Sequence, residues 1–252
     1  APYINHFGTE EQKETWLTRM VSGEAVGALA MTEPGAGSDV QGIRTSAVKD
    51  GDGWILNGSK IFITNGYHAD MVIVAAITDP GKGAKGTSLF LVDTTLPGFE
   101  KGKKIEKIGQ HTSDTAELFF QDVRLPASAL LGELNKGFVI MMNELPRERL
   151  GIAAQAVAAA EGALAITVDY VLERKAFGQS VASFQNTRFV LAEVKTEIAI
   201  NRAFYEKCAD AYAAGKLTAE DAAMLKYAST EMQRKTIDQC QNLRGGYAHT
   251  AE

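Results

Sequence analysis

The 252-residue sequence predicts an α+β protein with strands and helices segregated along the chain. Three observations carry that reading. Short β-branched and apolar runs fill Ala25 to Arg124, amphipathic alanine-rich runs fill the chain after Gly137, and a helix-start signature stands near the front. A composition of 45% hydrophobic residues with a formal net charge of -5 fits a soluble globular protein with a sizeable core.

The chain opens on a helix already under way and reads as a piece of a longer protein. Thr9 followed by Gln12 makes a capping box, Trp16, Leu17, Met20 and Val21 supply the apolar stripe behind it, and Gly23 ends that helix. Val26 to Met31 is a small-residue run that reads as a buried strand. Further strands are expected at Trp54 to Leu56, Lys60 to Thr64, Met71 to Thr78, Thr87 to Asp93 and Ala116 to Val123, with Asn57-Gly58 as a hairpin turn. Pro126 closes the strand region. Helices come next at Leu150 to Lys175, Phe184 to Gly215 and Thr218 to Leu243, punctuated by Gly178 and Gly215, and their short connections indicate a bundle.

Several functions are excluded by what the residues lack. Lys101, Lys103, Lys104 and Lys107 are interspersed with glutamates and read as a solvated strand face, so no nucleic-acid partner is expected. Cys208 and Cys240 sit in helical patterns, and His6, His68, His111 and His249 are scattered, so neither a disulfide framework nor a metal site is expected and a reducing compartment is. No apolar run reads as long enough to span a bilayer, and APYINHFGTEEQ carries no leader pattern. Gly81, Gly83 and Gly86 spell a dinucleotide-binding spacing, but they lie between two strands, where a hairpin loop explains them better.

The run Met31 to Asp39, MTEPGAGSD, is the most informative loop. Glycine lets a ligand approach the main chain, Pro34 fixes the chain's path into Gly35, and the amides of residues 35 to 38 are expected to converge on one acceptor beside the Ser38 hydroxyl. The same residues suit a plain Pro-Gly turn with Asp39 capping the segment after it.

MTEPGAGSD, NGSKIFITNG (57–66), ELFFQDVRLP (117–126), ERKAFGQ (173–179) and LRGGY (243–247) together resemble the acyl-CoA dehydrogenase family, in the family's order over the whole chain. The resemblance implies three parts: the end of an N-terminal helical domain at 1–24, a middle β-barrel-like domain at 25–127, and an incomplete C-terminal helical bundle at 128–252. It also implies a noncovalent FAD. By position, Leu29, Met31, Thr32, Gly37 and Ser38 would meet the flavin side, with Ser38 also near the thioester, while Phe62 and Thr64 would cover and bond the isoalloxazine. Many relatives carry Trp where this chain has Phe62; either ring stacks. Arg174, Phe177 and Gln185 match residues that reach the FAD of a neighbouring subunit. Asn242, Leu243, Arg244, Gly245 and Gly246 match its adenosine end, with Arg244 where many relatives have His. On residues alone, Arg174 also suits a surface ion pair at Glu173.

Oxidising an acyl thioester across its α and β carbons needs a base for the α proton as well as the hydride acceptor that FAD supplies. A carboxylate suits this task when substrate bulk excludes water, because desolvation raises its affinity for protons. NELPRERL (143–150) resembles the subgroup, which includes long-chain and isovaleryl enzymes, that carries this glutamate on the first bundle helix; Glu148 then matches the base and Arg149 a residue near the substrate. This reading puts Pro146 in the first turn of a helix capped by Asn143. A plainer alternative is that Glu144 and Glu148 are acids favoured near a helix N-terminus. Glu252 also tempts as a base, but its family counterpart is not one.

The resemblance therefore implies an FAD-dependent acyl-CoA dehydrogenase of fatty acid β-oxidation. It would form trans-2-enoyl-CoA, pass electrons to an electron-transfer flavoprotein, and assemble as a homotetramer or dimer in a bacterial cytoplasm or a mitochondrial matrix. Rivals are an oxygen-using flavoenzyme of the same fold, such as an acyl-CoA oxidase or flavin monooxygenase, and a non-catalytic scaffold.

Overall fold

A computed structural model describes residues 1–250; Glu252 lies outside them. The chain forms two compact units, Ala1–Glu144 and Leu145–Glu252.

The first unit begins with helices α1 (Pro2–Phe7) and α2 (Glu10–Ser22). The capping box forms as expected: Thr9 Oγ1 accepts from Gln12 N, and Gln12 Oε1 accepts from Thr9 N. Gln12 Nε2 donates onward to the carbonyls of Ser128 and Leu130, so the cap also ties α2 to a distant loop. Gly23 ends α2 at φ 82°, a left-handed C-cap that glycine adopts without steric cost.

Strands β1 (Gly27–Ala30), β2 (Ser46–Asp50), β3 (Gly53–Thr64), β4 (Met71–Ile77), β5 (Thr87–Asp93), β6 (Phe99–Lys104), β7 (Thr115–Leu125) and β8 (Leu130–Leu131) form one sheet. Its order is β6-β7-β3-β2-β4-β5-β8, and β1 lies parallel to β4. Strands β4 and β5 are buried on both faces. Val72, Val74, Ala76, Phe90 and Val92 join Trp54, Leu56 and Leu118 in one core, whereas Met71, Ile73, Leu89 and Leu91 meet Tyr3, Ile4, Trp16 and Met141 from the helices in another. That two-faced burial explains why both strands read as unbroken apolar runs. They pair antiparallel across Pro80–Gly86, a 3₁₀ segment, which confirms that its glycines belong to a hairpin connection.

The expected Asn57-Gly58 hairpin is corrected. Strand β3 runs straight through it, and its register against β7 shifts between Leu56 and Gly58. Asn57 is held across the strands, its Nδ2 donating to Asp122 Oδ1 and its Oδ1 accepting from Asp122 N. Gly58, at φ 146°, lies so near Thr45 that a Cβ would stand 2.5 Å from Oγ1. The pair thus makes a bulge, and the hairpin turn lies one step earlier, at Gly51-Asp52 between β2 and β3.

Helix α3 (Gly137–Glu173) starts earlier than expected. Pro146 lies in its interior, so Asn143 is no cap; the missing N–H costs one helical bond and the helix continues. By length and composition α3 is apolar enough to cross a bilayer, with a mean hydropathy of 1.5 over its best window, which corrects the expectation that no such run exists. Its packing is that of a bundle helix: Leu150, Ala153, Val157 and Ala160 are buried against α4 (Gln185–Ala213) and α5 (Ala219–Arg244). Between α3 and α4 lies a small hairpin of β9 (Lys175–Ala176) and β10 (Gln179–Ser180). Cys208 and Cys240 are buried free thiols, and burial pushes that of Cys208 upward.

Candidate active site

In the first unit the candidate residues gather where β1 runs into the Met31–Asp39 loop. Leu29 and Met31 are half-buried against the helix-facing core. Glu33 and Ala36 bridge each other, N to O at 2.9 Å and 3.0 Å, so the Ala36 amide is consumed inside the loop and the expected fan of free amides is smaller. Gly37 and Ser38 stand exposed, with nothing within 4 Å of a Cβ built on Gly37. Ligand approach is open there.

The carbonyl of Thr32 accepts from Ile61 N at 3.0 Å, which stitches the loop to β3. Beneath it lies a buried ion pair that sequence reasoning missed: Lys60 Nζ donates to Glu33 Oε1 at 2.8 Å and to the Met31 carbonyl at 2.9 Å. Arg44 N and Thr45 N donate to the two oxygens of the same carboxylate. Burial pushes the Lys60 amine down to about 8 against the pull of Glu33. Burial also raises the Glu33 carboxyl, but the bonds from Lys60, Thr45 and Arg44 outweigh it and hold the group below its ordinary range. The only advance signal for Lys60 was a lysine at a strand position where alternation calls for an inward residue.

One observation singles out Phe62. Among the described residues, the non-glycine residues at positive φ are Phe62, Asn65, Gln110, Asp122, Asn135 and Phe177; four are polar, and the two phenylalanines are the candidate flavin-facing aromatics of the two units. Bulky side chains avoid this region, at a cost of about 1–3 kcal/mol, and such strain collects at functional sites. Phe62 is 62% exposed and Phe177 96%. Thr64, at the end of β3, is exposed too.

In the second unit Phe177 and Gly178, at φ 54° and 77°, form the two-residue turn between β9 and β10. Arg174, just before β9, is in no ion pair among the described residues. Its guanidinium lies 5.5 Å from the ring centre of Tyr247, and that of Arg244 lies 5.1 Å from Tyr170, so the surface-pair reading of Arg174 is set aside. Arg174, Asn242, Arg244, Gly245, Gly246 and Tyr247 line one cavity of about 480 Å³. Gly245, at φ 60° and ψ -140°, holds a conformation that side chains disfavour. Two guanidiniums, an amide, open backbone and aromatic faces in one concavity suit a phosphate-bearing ligand with a flat ring. Tyr170 and Tyr247 were not foreseen. Gln185 opens α4, exposed.

Glu148 and Arg149 are half-buried on α3, well inside the helix, so the N-terminal dipole does not account for Glu148. Glu144, one turn earlier, is buried and pairs with His6 Nδ1 at 2.5 Å.

Residues 28–123 match the acyl-CoA dehydrogenase middle domain, and residues 135–252 match the acyl-CoA dehydrogenase C-terminal domain. The chain belongs to the acyl-CoA dehydrogenase family. It is 51% identical to the mitochondrial long-chain specific acyl-CoA dehydrogenase of Rattus norvegicus over 253 aligned positions, covering 100% of this chain and 59% of that relative. An acyl-CoA dehydrogenase structure from Geobacillus kaustophilus superposes with a TM-score of 0.97 at 49% identity, over 99% of this chain and 66% of that one. A glutaryl-CoA dehydrogenase from Mycobacterium smegmatis, in complex with FADH2, gives 0.94 at 35% identity, over 99% and 63%. The family fold is thus present as a middle β domain and a C-terminal helical domain, with part of an N-terminal helical region. The chain spans about three-fifths of the length of the rat relative, 59%.

Proposed function

We propose that this chain is the core of an FAD-dependent enzyme that dehydrogenates an acyl-CoA thioester to the trans-2-enoyl-CoA and delivers its electrons to an electron-transfer flavoprotein. The observation that carries the reading is the cavity in which Arg174, Asn242, Arg244, Gly245 and Gly246 meet, because its donors fit the diphosphate and adenosine of the cofactor. FAD would supply the hydride acceptor. Leu29, Met31, Thr32, Gly37 and Ser38 would border the flavin, with Phe62 covering the ring system and Thr64 bonding it. Arg174, Phe177 and Gln185 would reach the cofactor of a neighbouring subunit, which calls for a homotetramer or at least a dimer.

The chemistry of the chain itself is proton transfer. Glu148 would take the α proton of the thioester, Arg149 would lie beside the substrate, and Ser38 would help orient the thioester. The domains are assigned to 1–24, 25–127 and 128–252, and the compartment to a bacterial cytoplasm or a mitochondrial matrix. The test is anaerobic acyl-CoA titration of the full-length enzyme. Glu148→Gln should abolish substrate-dependent flavin bleaching while FAD stays bound; normal bleaching in this variant would reject Glu148 as base. Rapid reoxidation by air would favour an oxidase.

A further inference from the structure

The Lys60–Glu33 pair lies under the proposed flavin loop and has no part in the proton chemistry assigned to Glu148. Hydrophobic replacement of a buried ion pair is often neutral or stabilising, so stability alone is a weak account of it. What an apolar pair lacks is direction. Lys60 Nζ reaches Met31 O and Glu33 Oε1, while Glu33 receives Thr45 N on Oε1 at 3.0 Å and Arg44 N on Oε2 at 2.7 Å. The carboxylate is therefore fixed from three segments at once: the loop, the Arg44-Thr45 return and β3.

The position of Lys60 along β3 gives this its consequence. Lys60 pairs with Leu118, and the register against β7 then shifts before Ile63 pairs with Ala116. Phe62, at φ 59°, sits inside that irregularity. The next residue after Lys60, Ile61, donates its N–H to Thr32 O. The anchor thus fixes both the phase of the bulge and its distance from the loop.

We propose that the buried Lys60–Glu33 pair is a positioning clamp that holds the Met31–Ser38 loop in register with the Phe62 bulge and thereby shapes the flavin site. The clamp rests on the reading of this loop as a flavin site. Lys60 and Glu33 are positioning residues; neither is assigned a contact with the cofactor.

The test uses the full-length enzyme. Lys60→Met alone strands a buried carboxylate, so the assayed form is the double variant Lys60→Met/Glu33→Gln, compared with Lys235→Met, which removes an exposed pair with Glu193. Three quantities are read: near-ultraviolet circular dichroism for the fold, FAD dissociation constant with flavin absorbance, and deuterium uptake at the Ile61 amide. The clamp predicts a folded double variant with at least tenfold weaker FAD binding, an altered flavin spectrum and at least tenfold faster exchange at Ile61, none of it in Lys235→Met. A folded double variant with parental FAD affinity, spectrum and exchange would overturn it. A double variant that fails to fold even with FAD also overturns it, since the pair would then be a requirement of the fold. If the parent enzyme binds no FAD while Ile61 exchange still accelerates, the flavin reading falls and the mechanical clamp stands.

Discussion

Phe62 and Phe177 share an unusual conformation, left-handed and exposed, yet their supports differ. Phe62 is held by tertiary means: a bulge in a long strand, a buried ion pair next to it, and a backbone bond to a neighbouring loop. Phe177 is held locally, by a two-residue turn whose strands are two residues each, with Val181 N bonding Arg174 O at 2.8 Å and Ser180 Oγ bonding Val171 O at 2.9 Å. Strain is tolerated in the first case because the surroundings over-determine the backbone, and in the second because a tight hairpin demands positive φ whatever its residue. Damage should therefore spread from the first site and stay local at the second.

The hardest blow to the first region is Lys60→Met. Leaving the Glu33 carboxylate buried without its cation should cost about 3–5 kcal/mol in urea unfolding of the full-length protein. A loss no larger than that of Lys235→Met would show the pair to be dispensable. Gly58→Ala comes next: it drives a Cβ to 2.7 Å from the Thr45 Cα, and overpacking of that kind costs about 1–3 kcal/mol. Unchanged stability would mean that β3 shifts freely at its first bulge.

Phe177→Asn sharpens the contrast from the other side. Asparagine accepts left-handed backbone more readily, so apoprotein stability should hold or rise by up to about 1 kcal/mol while FAD retention falls. Lowered apoprotein stability would show that the ring packs for the fold. The gentlest perturbation is alkaline pH. Lys60 titrates near 8 in the folded protein against an ordinary 10.5, so the unfolded chain binds more protons between those values and the stability contribution of the site rises with pH through that window. The unfolding free energy of the parent relative to Lys60→Met should increase from pH 8 toward 10; a flat difference would place the Lys60 pKa near its ordinary value.

Much of this was legible in local pattern. The Thr9–Gln12 cap, the doubly buried β4 and β5 and the three bundle helices arise from propensity and periodicity, which act over a few residues. The candidate flavin positions were legible only through five separated motifs, since nothing in Arg174 or Arg244 by itself announces that the two line one cavity. Strand β2 went unread because only Ala47 of its residues is buried and Val48 faces out. Asn57-Gly58 looked like a turn because its dipeptide prefers one, and Pro146 looked like a helix start because proline is welcome there.

By itself the sequence determined the order of elements, the caps, the candidate residues and the family. The tertiary structure alone decided that Asn57-Gly58 is a bulge, that Pro146 lies within a continuing helix, and that Lys60 and Glu33 meet beneath the loop. The physical reason is range. Local propensities differ by about 1 kcal/mol or less per residue, and contacts between distant segments override them: the Asn57–Asp122 bonds, the close approach of Gly58 to Thr45, and the carboxylate that gathers Lys60, Arg44 and Thr45.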